Sequence, residues 1–283
     1  MVGQQNADRR PQLTCVAANG YVIQKGQPLK NGEAPRKKII SSGYDKLDPN
    51  EWSLGFLLTL GNFRYYAGGD LTSVQESGNK WDSKAKDYKD IIDPTEDKKG
   101  TISYPDLSLM KYLGRVDAMK TSHHGSRASS SPTFINTVQP RAAIISCGSN
   151  NVFCHPHQEV VDTLEESTAI RAYFLTGFFT PGFTSKKYNI PWLGKKANVA
   201  GVWISSTSTQ LYEIEKEGDI VLSIDENGAQ KGPATFDVHY YMPKPLLTPP
   251  PPQDPEKDPE EDLQAPQMGK DNKDTHWQTK SFA

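Results

Sequence analysis

The chain of 283 residues lacks several features that would assign it to a common functional class. Its 32 Lys and Arg residues are balanced by 34 Asp and Glu residues, so it lacks the basic excess of proteins that bind long nucleic acids by charge. No apolar run approaches the roughly 20 residues of a membrane helix. The N-terminal stretch MVGQQNADRRPQLTC contains no apolar signal sequence. We therefore expect a soluble, cytoplasmic chain.

Cysteine and histidine are also scarce. The three cysteines, Cys15, Cys147 and Cys154, are not spaced as zinc ligands and leave one thiol over in any disulfide scheme, so we expect buried or neutral thiols. None of the six histidines lies before position 123. A metal site that uses histidine must therefore take its histidines from residue 123 onward.

Composition divides the chain into three parts. Residues 1–50 contain a predicted strand pair around the Asn19-Gly20 turn, followed by a polar loop. Residues 51–243 hold most of the apolar runs, and a charged segment at 73–103 has no core pattern, which indicates a surface insertion. Residues 244–283 begin with a Pro-rich acidic stretch that cannot bury enough apolar surface to become ordered, which predicts a disordered tail.

Strands and helices alternate in the middle part. Two apolar runs flanking Gly61-Asn62 predict a hairpin, and Pro105, Pro132 and Pro156 each mark the first turn of a predicted helix. Short apolar strands lie between these helices, and further strands are predicted between residues 199 and 225. Alternation at this spacing predicts an α/β fold on a largely parallel or mixed sheet.

Potential metal ligands follow two of the predicted strands. Asp70 closes one apolar run, and His123 and His124 follow another. Chemistry in α/β scaffolds is presented at the carboxyl ends of strands, so we expect the carboxylate and an imidazole to lie close enough to share a metal. Taken alone, an Asp at the end of a strand is usually a turn former, and a pair of adjacent histidines is usually solvated. Together they suggest a site for a hard-to-borderline metal ion.

A further histidine pair flanks Pro156. If Pro156 opens a helix, His155 lies just before it and His157 in its first turn. Residues two apart on a helix do not face one point, so we expect at most one of them to reach the site and favour His155. The positive end of the helix would suit an anionic substrate group. The alternative is a solvated loop histidine.

These motifs together resemble those of a known family. The motifs are Asn50-x-x-Ser53, Gly69-Asp70-Leu71, Lys120-x-x-His123-His124-Gly125-Ser126, Ser129-Ser130-Ser131, Ile144-Ile145-Ser146 and His155-Pro156. Their order and spacing, from about residue 50 to 176, resemble the latter half of metallo-β-lactamase-fold hydrolases. The resemblance is specifically to the soluble hydrolase domain of the competence (DNA-uptake) ComEC family.

The resemblance implies a fold, a cofactor and a substrate class. The fold is an αββα sandwich, of which this chain would hold the latter part. Asp70 matches the carboxylate that bridges two divalent metals, Zn or Mn, and one of His123 and His124 matches a metal ligand. His155 matches a catalytic histidine near the substrate, which is a phosphodiester or nucleic acid.

One departure from the family pattern is large. Such hydrolases carry an early His-x-[His/Asp]-x-Asp-His motif that supplies most metal ligands, and this chain has no such motif. Three interpretations follow: a missing N-terminal half, a degenerate relative that serves as a binding or scaffold module, or completion of the site by a partner subunit. Half a sandwich should also leave an apolar sheet face exposed.

Overall fold

A computed structural model describes residues 10–24, 36–38, 49–93, 102–148, 151–176, 202–204, 210–213, 220–224, 233–243 and 275–282. Its strands are β1 (Gln12–Ala18), β2 (Tyr21–Ile23), β3 (Arg36–Lys38), β4 (Gly55–Leu60), β5 (Phe63–Ala67), β6 (Asn79–Asp82), β7 (Asp87–Asp90), β8 (Ile92–Asp93), β9 (Ile102–Ser103), β10 (Ala118–Lys120), β11 (Ala142–Ile145), β12 (Ala172–Leu175), β13 (Val202–Ile204), β14 (Gln210–Glu213), β15 (Ile220–Ile224), β16 (Phe236–Pro243) and β17 (Thr275–Phe282).

The α-helices in the described ranges are short: α1 (Ser73–Ser77), α2 (Tyr104–Leu107), α3 (Leu109–Leu113), α4 (Pro132–Val138) and α5 (Gln158–Glu166). The predicted helix after Pro105 is thus two helices, α2 and α3, separated by Ser108. Helix α4 begins as the sequence predicts, because the Ser131 hydroxyl accepts from the Phe134 amide. In the part of the chain that the structure describes, no helix is long and apolar enough to cross a lipid bilayer.

A ten-stranded mixed sheet forms the centre, in the order β13-β14-β12-β11-β10-β5-β4-β1-β2-β3. The five strands from β14 to β5 run parallel to one another, and the outer pairings of this group, β13–β14 and β4–β5, are antiparallel. Strands β4 and β5 form the predicted hairpin across Gly61-Asn62. The chain is therefore a mixed α/β protein, as its alternating pattern predicts.

Both faces of the central strands are covered, which explains why these strands are apolar throughout. On β10, Met119 faces a core formed with the helices, and its neighbour Ala118 faces a second core. Tyr173 and Ala172 alternate in the same way on β12.

The second face is covered by a three-stranded sheet, β15-β16-β17. Phe236 of β16 packs edge-on against Phe63, with ring centroids 5.3 Å apart, and stacks on Phe282 at 4.7 Å. Arg141 donates to the Ala234 carbonyl, and its guanidinium lies 4.9 Å from the Phe236 ring centroid. The expectation of an exposed apolar face is therefore wrong at these central strands.

The predicted tail contains a strand. Strand β17 pairs with β16 along its whole length, from Phe236 opposite Phe282 to Pro243 opposite Thr275. The prediction of disorder over 244–283 is thus wrong for residues 275–282, whereas 244–274 lies outside the described residues. The Pro-rich acidic composition of the segment obscured THWQTKSF, whose aromatic and β-branched residues favour a strand.

The charged segment at 73–103 is only partly a surface insertion. Every residue of α1 is buried, and the β6–β7 hairpin and the β8–β9 pair follow it. The polar sequence SVQES has no apolar pattern, but its side chains are satisfied internally. The Thr72–Gln75 capping box and the Ser77 hydroxyl, 2.8 Å from Ser131 Oγ, are two such contacts. Residues 94–101 of this segment lie outside the described ranges.

The packing of β17 gives a direct test of its contribution to stability. Phe282 is 1% exposed, whereas its neighbour Ser281 is exposed on the same strand. We expect Phe282→Ala to lower the free energy of unfolding by about 3–5 kcal/mol through lost burial and a cavity. Ser281→Ala, the matched control, should leave it nearly unchanged. Equal urea midpoints for the two variants would show that β17 does not support the core.

Candidate metal and substrate site

Parallel strand pairing brings the predicted site residues to one edge of the sheet. Lys120 of β10 pairs with Ala67 of β5 on one side and with Ile144 of β11 on the other. Asp70 lies three residues after Ala67, and His123 lies three residues after Lys120, which is the residue paired with Ala67. The carboxylate and the histidines therefore leave the sheet at the same edge, as the sequence predicts.

Two glycines let the chain before Asp70 approach the histidines closely. A Cβ at Gly68 would lie 2.0 Å from Ser122 Oγ, and Gly69 has a φ of +56°. The Gly69 carbonyl accepts from the His123 amide at 2.9 Å. The Asp70 amide in turn donates to Ser53 Oγ at 3.1 Å, which fixes the start of the loop.

The two adjacent histidines lie in a left-handed turn. We call the segment Ser122–Gly125 the histidine turn; in it, His123 and His124 have φ values of 48° and 56°. Such a conformation costs a side-chain-bearing residue roughly 1–2 kcal/mol. The Ser126 amide donates to the His123 carbonyl at 2.8 Å, and the His157 amide donates to the Gly125 carbonyl at 2.9 Å. These bonds, together with the Gly69 contact, offset the strain.

His124 is oriented by a backbone carbonyl. Its Nδ1 lies 2.6 Å from the Ser146 oxygen just beyond β11. A carbonyl oxygen only accepts, so Nδ1 carries the proton. The opposite ring nitrogen, Nε2, lies 3.5 Å from Asp70 Oδ1. The prediction that Asp70 and an imidazole lie close together is confirmed, and the imidazole is that of His124.

The Asp70–His124 pair has the features of two metal ligands. Their separation exceeds the 2.7–2.9 Å typical of a charge-assisted hydrogen bond. Ligands held at about 2.0–2.1 Å in tetrahedral geometry are roughly 3.4 Å apart, close to the observed distance. Metal-binding histidines also commonly donate their other ring N–H to a backbone carbonyl, as His124 does. The pair therefore fits part of a divalent-metal site.

The pair lines a cavity of about 340 Å³. Its lining residues are Asp70, His123, His124, Cys147, Gly148, Asn151, Phe153 and His155. The His155 ring centroid lies 5.5 Å from that of His123 and 6.0 Å from that of His124, with the His124 and His155 rings nearly parallel. All four residues proposed from the sequence therefore meet in one cavity.

A side-chain clamp fixes the position of His155. The Asn151 amide group donates to the His155 carbonyl at 2.9 Å, and its oxygen accepts from the His155 amide at 2.8 Å. Burial, together with the nearby His123 and His124, lowers the pKa of His155 to about 4. His155 is therefore neutral at physiological pH and can donate or accept a hydrogen bond.

His157 has a structural role in the fold. It is the N-cap residue of α5, so the prediction that Pro156 and His157 lie in the first turn is wrong: Pro156 lies before the helix, which begins at Gln158. His157 Nδ1 accepts from the Arg127 amide at 2.9 Å, and Nε2 donates to the Phe153 carbonyl at 3.1 Å. These bonds direct His157 away from the cavity lining, so one histidine of the pair reaches the site, as predicted.

Sequence reasoning missed a buried carboxylate beneath the histidine turn. Glu76 of α1 is 0% exposed, and its Oε1 accepts from the Ser122 hydroxyl at 2.7 Å. Burial raises the pKa of Glu76 to about 7, and hydrogen bonds from Ser122 and Ser130 partly offset this increase. The capping-box pair Thr72 and Gln75 was the available signal for a helix here.

The described ranges do not contain a full set of metal ligands. There, no group of three or more His, Cys, Asp or Glu side chains is arranged to hold a metal ion. A catalytic zinc ordinarily has three protein ligands. The roles of Asp70, His123 and His124 as metal ligands, and of His155 in catalysis, remain predictions.

Comparison with known proteins gives short matches to two curated relatives. The chain is 47% identical over 51 residues to ComE operon protein 3 of Bacillus subtilis, covering 18% of this chain and 7% of that protein. It is 36% identical over 73 residues to Recombination protein 2 of Haemophilus influenzae, covering 24% of this chain and 9% of that protein. No family model matches the chain. Short parts of it are thus similar to one protein named for the ComE operon and one named for recombination, and the aligned parts are less than a tenth of either relative.

The buried histidines predict a loss of stability in acid. Burial, followed by the nearby Arg127, lowers the pKa of His157 to about 3, against about 6.5 in an unfolded chain. Between these two pH values the unfolded state binds more protons than the folded state. The contribution of neutral His157 to the free energy of unfolding is therefore complete above pH 6.5 and is lost as the pH falls. His157→Asn, which places a side chain without a titratable group at the N-cap position of α5, should show a smaller loss of unfolding free energy between pH 6.5 and 4 than wild type. Parallel pH profiles in urea unfolding would contradict this assignment.

Proposed function

We propose that the chain contributes part of a divalent-metal site used for phosphodiester hydrolysis, in a domain of metallo-β-lactamase type. Asp70 and His124 would hold the metal, with His123 beside them and His155 at the substrate. The remaining ligands would come from residues outside the described ranges or from another polypeptide. The observation that carries the proposal is the 3.5 Å separation of Asp70 Oδ1 and His124 Nε2, with His124 oriented by a carbonyl.

The metal would be Zn²⁺ or Mn²⁺, and one or two such ions would supply positive charge at a phosphoryl oxygen and lower the pKa of bound water. Asp70, whose carboxylate has two oxygens that can bind a metal, would be the ligand shared if two ions were held. His155 is neutral at physiological pH because burial lowers its pKa to about 4, so it can hydrogen-bond a phosphate oxygen without carrying charge. The cavity of about 340 Å³ lies at the lower end of the range for small-molecule sites.

The comparisons support the class of substrate only indirectly. The names of the two relatives refer to a ComE operon and to recombination, and a nucleic-acid phosphodiester is a substrate consistent with those names. The mixed sheet, with helices on one face and a three-stranded sheet on the other, is compatible with three layers of an αββα sandwich.

A second candidate is a binding or scaffold module derived from the same fold. It is favoured by one observation: the described residues contain no arrangement of three metal-ligating side chains. Under this alternative the cavity would retain its shape and its oriented imidazoles without hydrolytic activity. The two candidates differ in whether the cavity binds a divalent metal.

Metal binding by the purified chain distinguishes them. We expect Zn²⁺ titration in a calorimeter to show one weak site in the wild-type chain, because two or three ligands bind less tightly than a full set. Asp70→Ala and His124→Ala should each abolish that site. Hydrolysis of bis(p-nitrophenyl) phosphate and of single-stranded DNA should remain near background with Zn²⁺ or Mn²⁺, because the described residues do not supply a full set of metal ligands.

The control for this experiment is His239→Ala. His239 lies on β16 in the second sheet, where its Nδ1 contacts Thr279 Oγ1 at 2.9 Å, and this variant should bind Zn²⁺ as wild type does. Equal Zn²⁺ binding by Asp70→Ala, His124→Ala and wild type would favour the binding module. Robust turnover by the chain alone, lost in Asp70→Ala, would instead show that the site is complete.

A further inference from the structure

Glu76 lies beneath the candidate site without reaching its cavity. The carboxylate projects from α1 and is fully buried. Its two oxygens have different partners: Oε1 accepts from the Ser122 hydroxyl at 2.7 Å, and Oε2 accepts from the Ser130 amide at 2.6 Å. The Tyr66 hydroxyl donates to Oε1 at 3.4 Å.

These two partners are the ends of one segment. Residues 122–130 begin with the histidine turn and end at Ser130, which has a φ of 49° and is itself left-handed. A single carboxylate therefore joins both ends of the segment that carries the two strained histidines. Within the segment, the Ser129 hydroxyl donates to the Ser122 carbonyl at 2.8 Å, which reinforces the same closure.

Helix α1 is itself held rigidly, so the carboxylate has a fixed origin. The Thr72 hydroxyl caps the helix together with Gln75, and Gly78 ends it in a left-handed conformation. The Ser73 amide donates to the Ala128 carbonyl at 2.7 Å, which ties the start of the helix to the middle of the 122–130 segment. The helix that carries Glu76 and the 122–130 segment that it contacts are therefore held in a fixed relation.

We propose that Glu76 is the positioning residue that holds His123 and His124 in their left-handed turn. It acts through Ser122 and Ser130 and touches neither the cavity nor any substrate. This positioning of the imidazoles can be tested whether or not the proposed function is correct. The use of the positioned imidazoles for metal binding rests on the proposed function. Burial, which raises the pKa of Glu76 to about 7, accords with a carboxyl group enclosed by the fold.

The test follows the tautomer of His124 by NMR of the full chain labelled with ¹⁵N-histidine. In wild type we expect a single Nδ1–H tautomer for His124, because Nδ1 donates to the Ser146 carbonyl. Glu76→Ala should lose this single tautomer and show a mixture. Glu76→Gln should retain it, since an amide can accept from the Ser130 amide and donate to the Ser122 hydroxyl.

Two further variants separate positioning from stability. Val74→Ala removes a buried side chain of the same helix, so it should lower the melting temperature while leaving the His124 tautomer unchanged. Ser122→Ala removes only the hydroxyl link, and it should also replace the single His124 tautomer by a mixture. It keeps the proposal testable if Glu76→Ala fails to fold. An unchanged His124 tautomer in a folded Glu76→Ala or in Ser122→Ala would overturn the proposal.

Co²⁺ titration of the same samples relates the positioning to the proposed function. Loss of a residue that orients a metal ligand typically weakens metal binding about 10–100-fold, and we expect Glu76→Ala to fall in this range relative to Glu76→Gln. If wild type binds no Co²⁺, the proposed metal site is wrong while the tautomer comparison still decides the role of Glu76. If Co²⁺ binds equally to both variants and the tautomer is unchanged, the positioning role is wrong and the metal site stands.

Discussion

Parallel pairing of three neighbouring strands is the constraint on which the candidate site depends. Strands β5, β10 and β11 run in the same direction and in register, so the segments after them emerge together. This brings Asp70, His124 and the Ser146 carbonyl within contact distance, although they are up to 76 residues apart in the sequence. An antiparallel arrangement of the middle strand would place the histidines at the opposite edge.

The close approach is achieved with strain that the surroundings offset. His123 and His124 occupy left-handed conformations that side-chain-bearing residues rarely adopt. The main chain of Gly69, the Ser146 carbonyl and the buried carboxylate of Glu76 each restrain one part of this segment. Strained backbone that is over-determined in this way is common at functional sites. The same arrangement would serve a metal site or a rigid binding cavity.

Sequence patterns predicted the features that depend on apolar periodicity and turn chemistry. The Gly61-Asn62 hairpin, the Ser131 helix cap and the α/β class all follow from local rules. Helix α1 and strand β17 do not, because one buries polar residues that satisfy each other and the other follows a Pro-rich stretch. The role of Glu76 was hidden for the same reason, since hydrogen bonding across 54 residues leaves no periodic signal.

The most direct test of the central claim is a crystal structure of the chain soaked in Zn²⁺, with an anomalous difference map recorded above the zinc edge. The Asp70–His124 pair as a metal-binding element predicts a peak at about 2.0–2.2 Å from both His124 Nε2 and an Asp70 oxygen. It also predicts that His124 Nδ1 keeps its contact with the Ser146 carbonyl, 2.6 Å away in the present structure. Zinc bound elsewhere, with none between these two side chains at saturating concentration, would contradict the account.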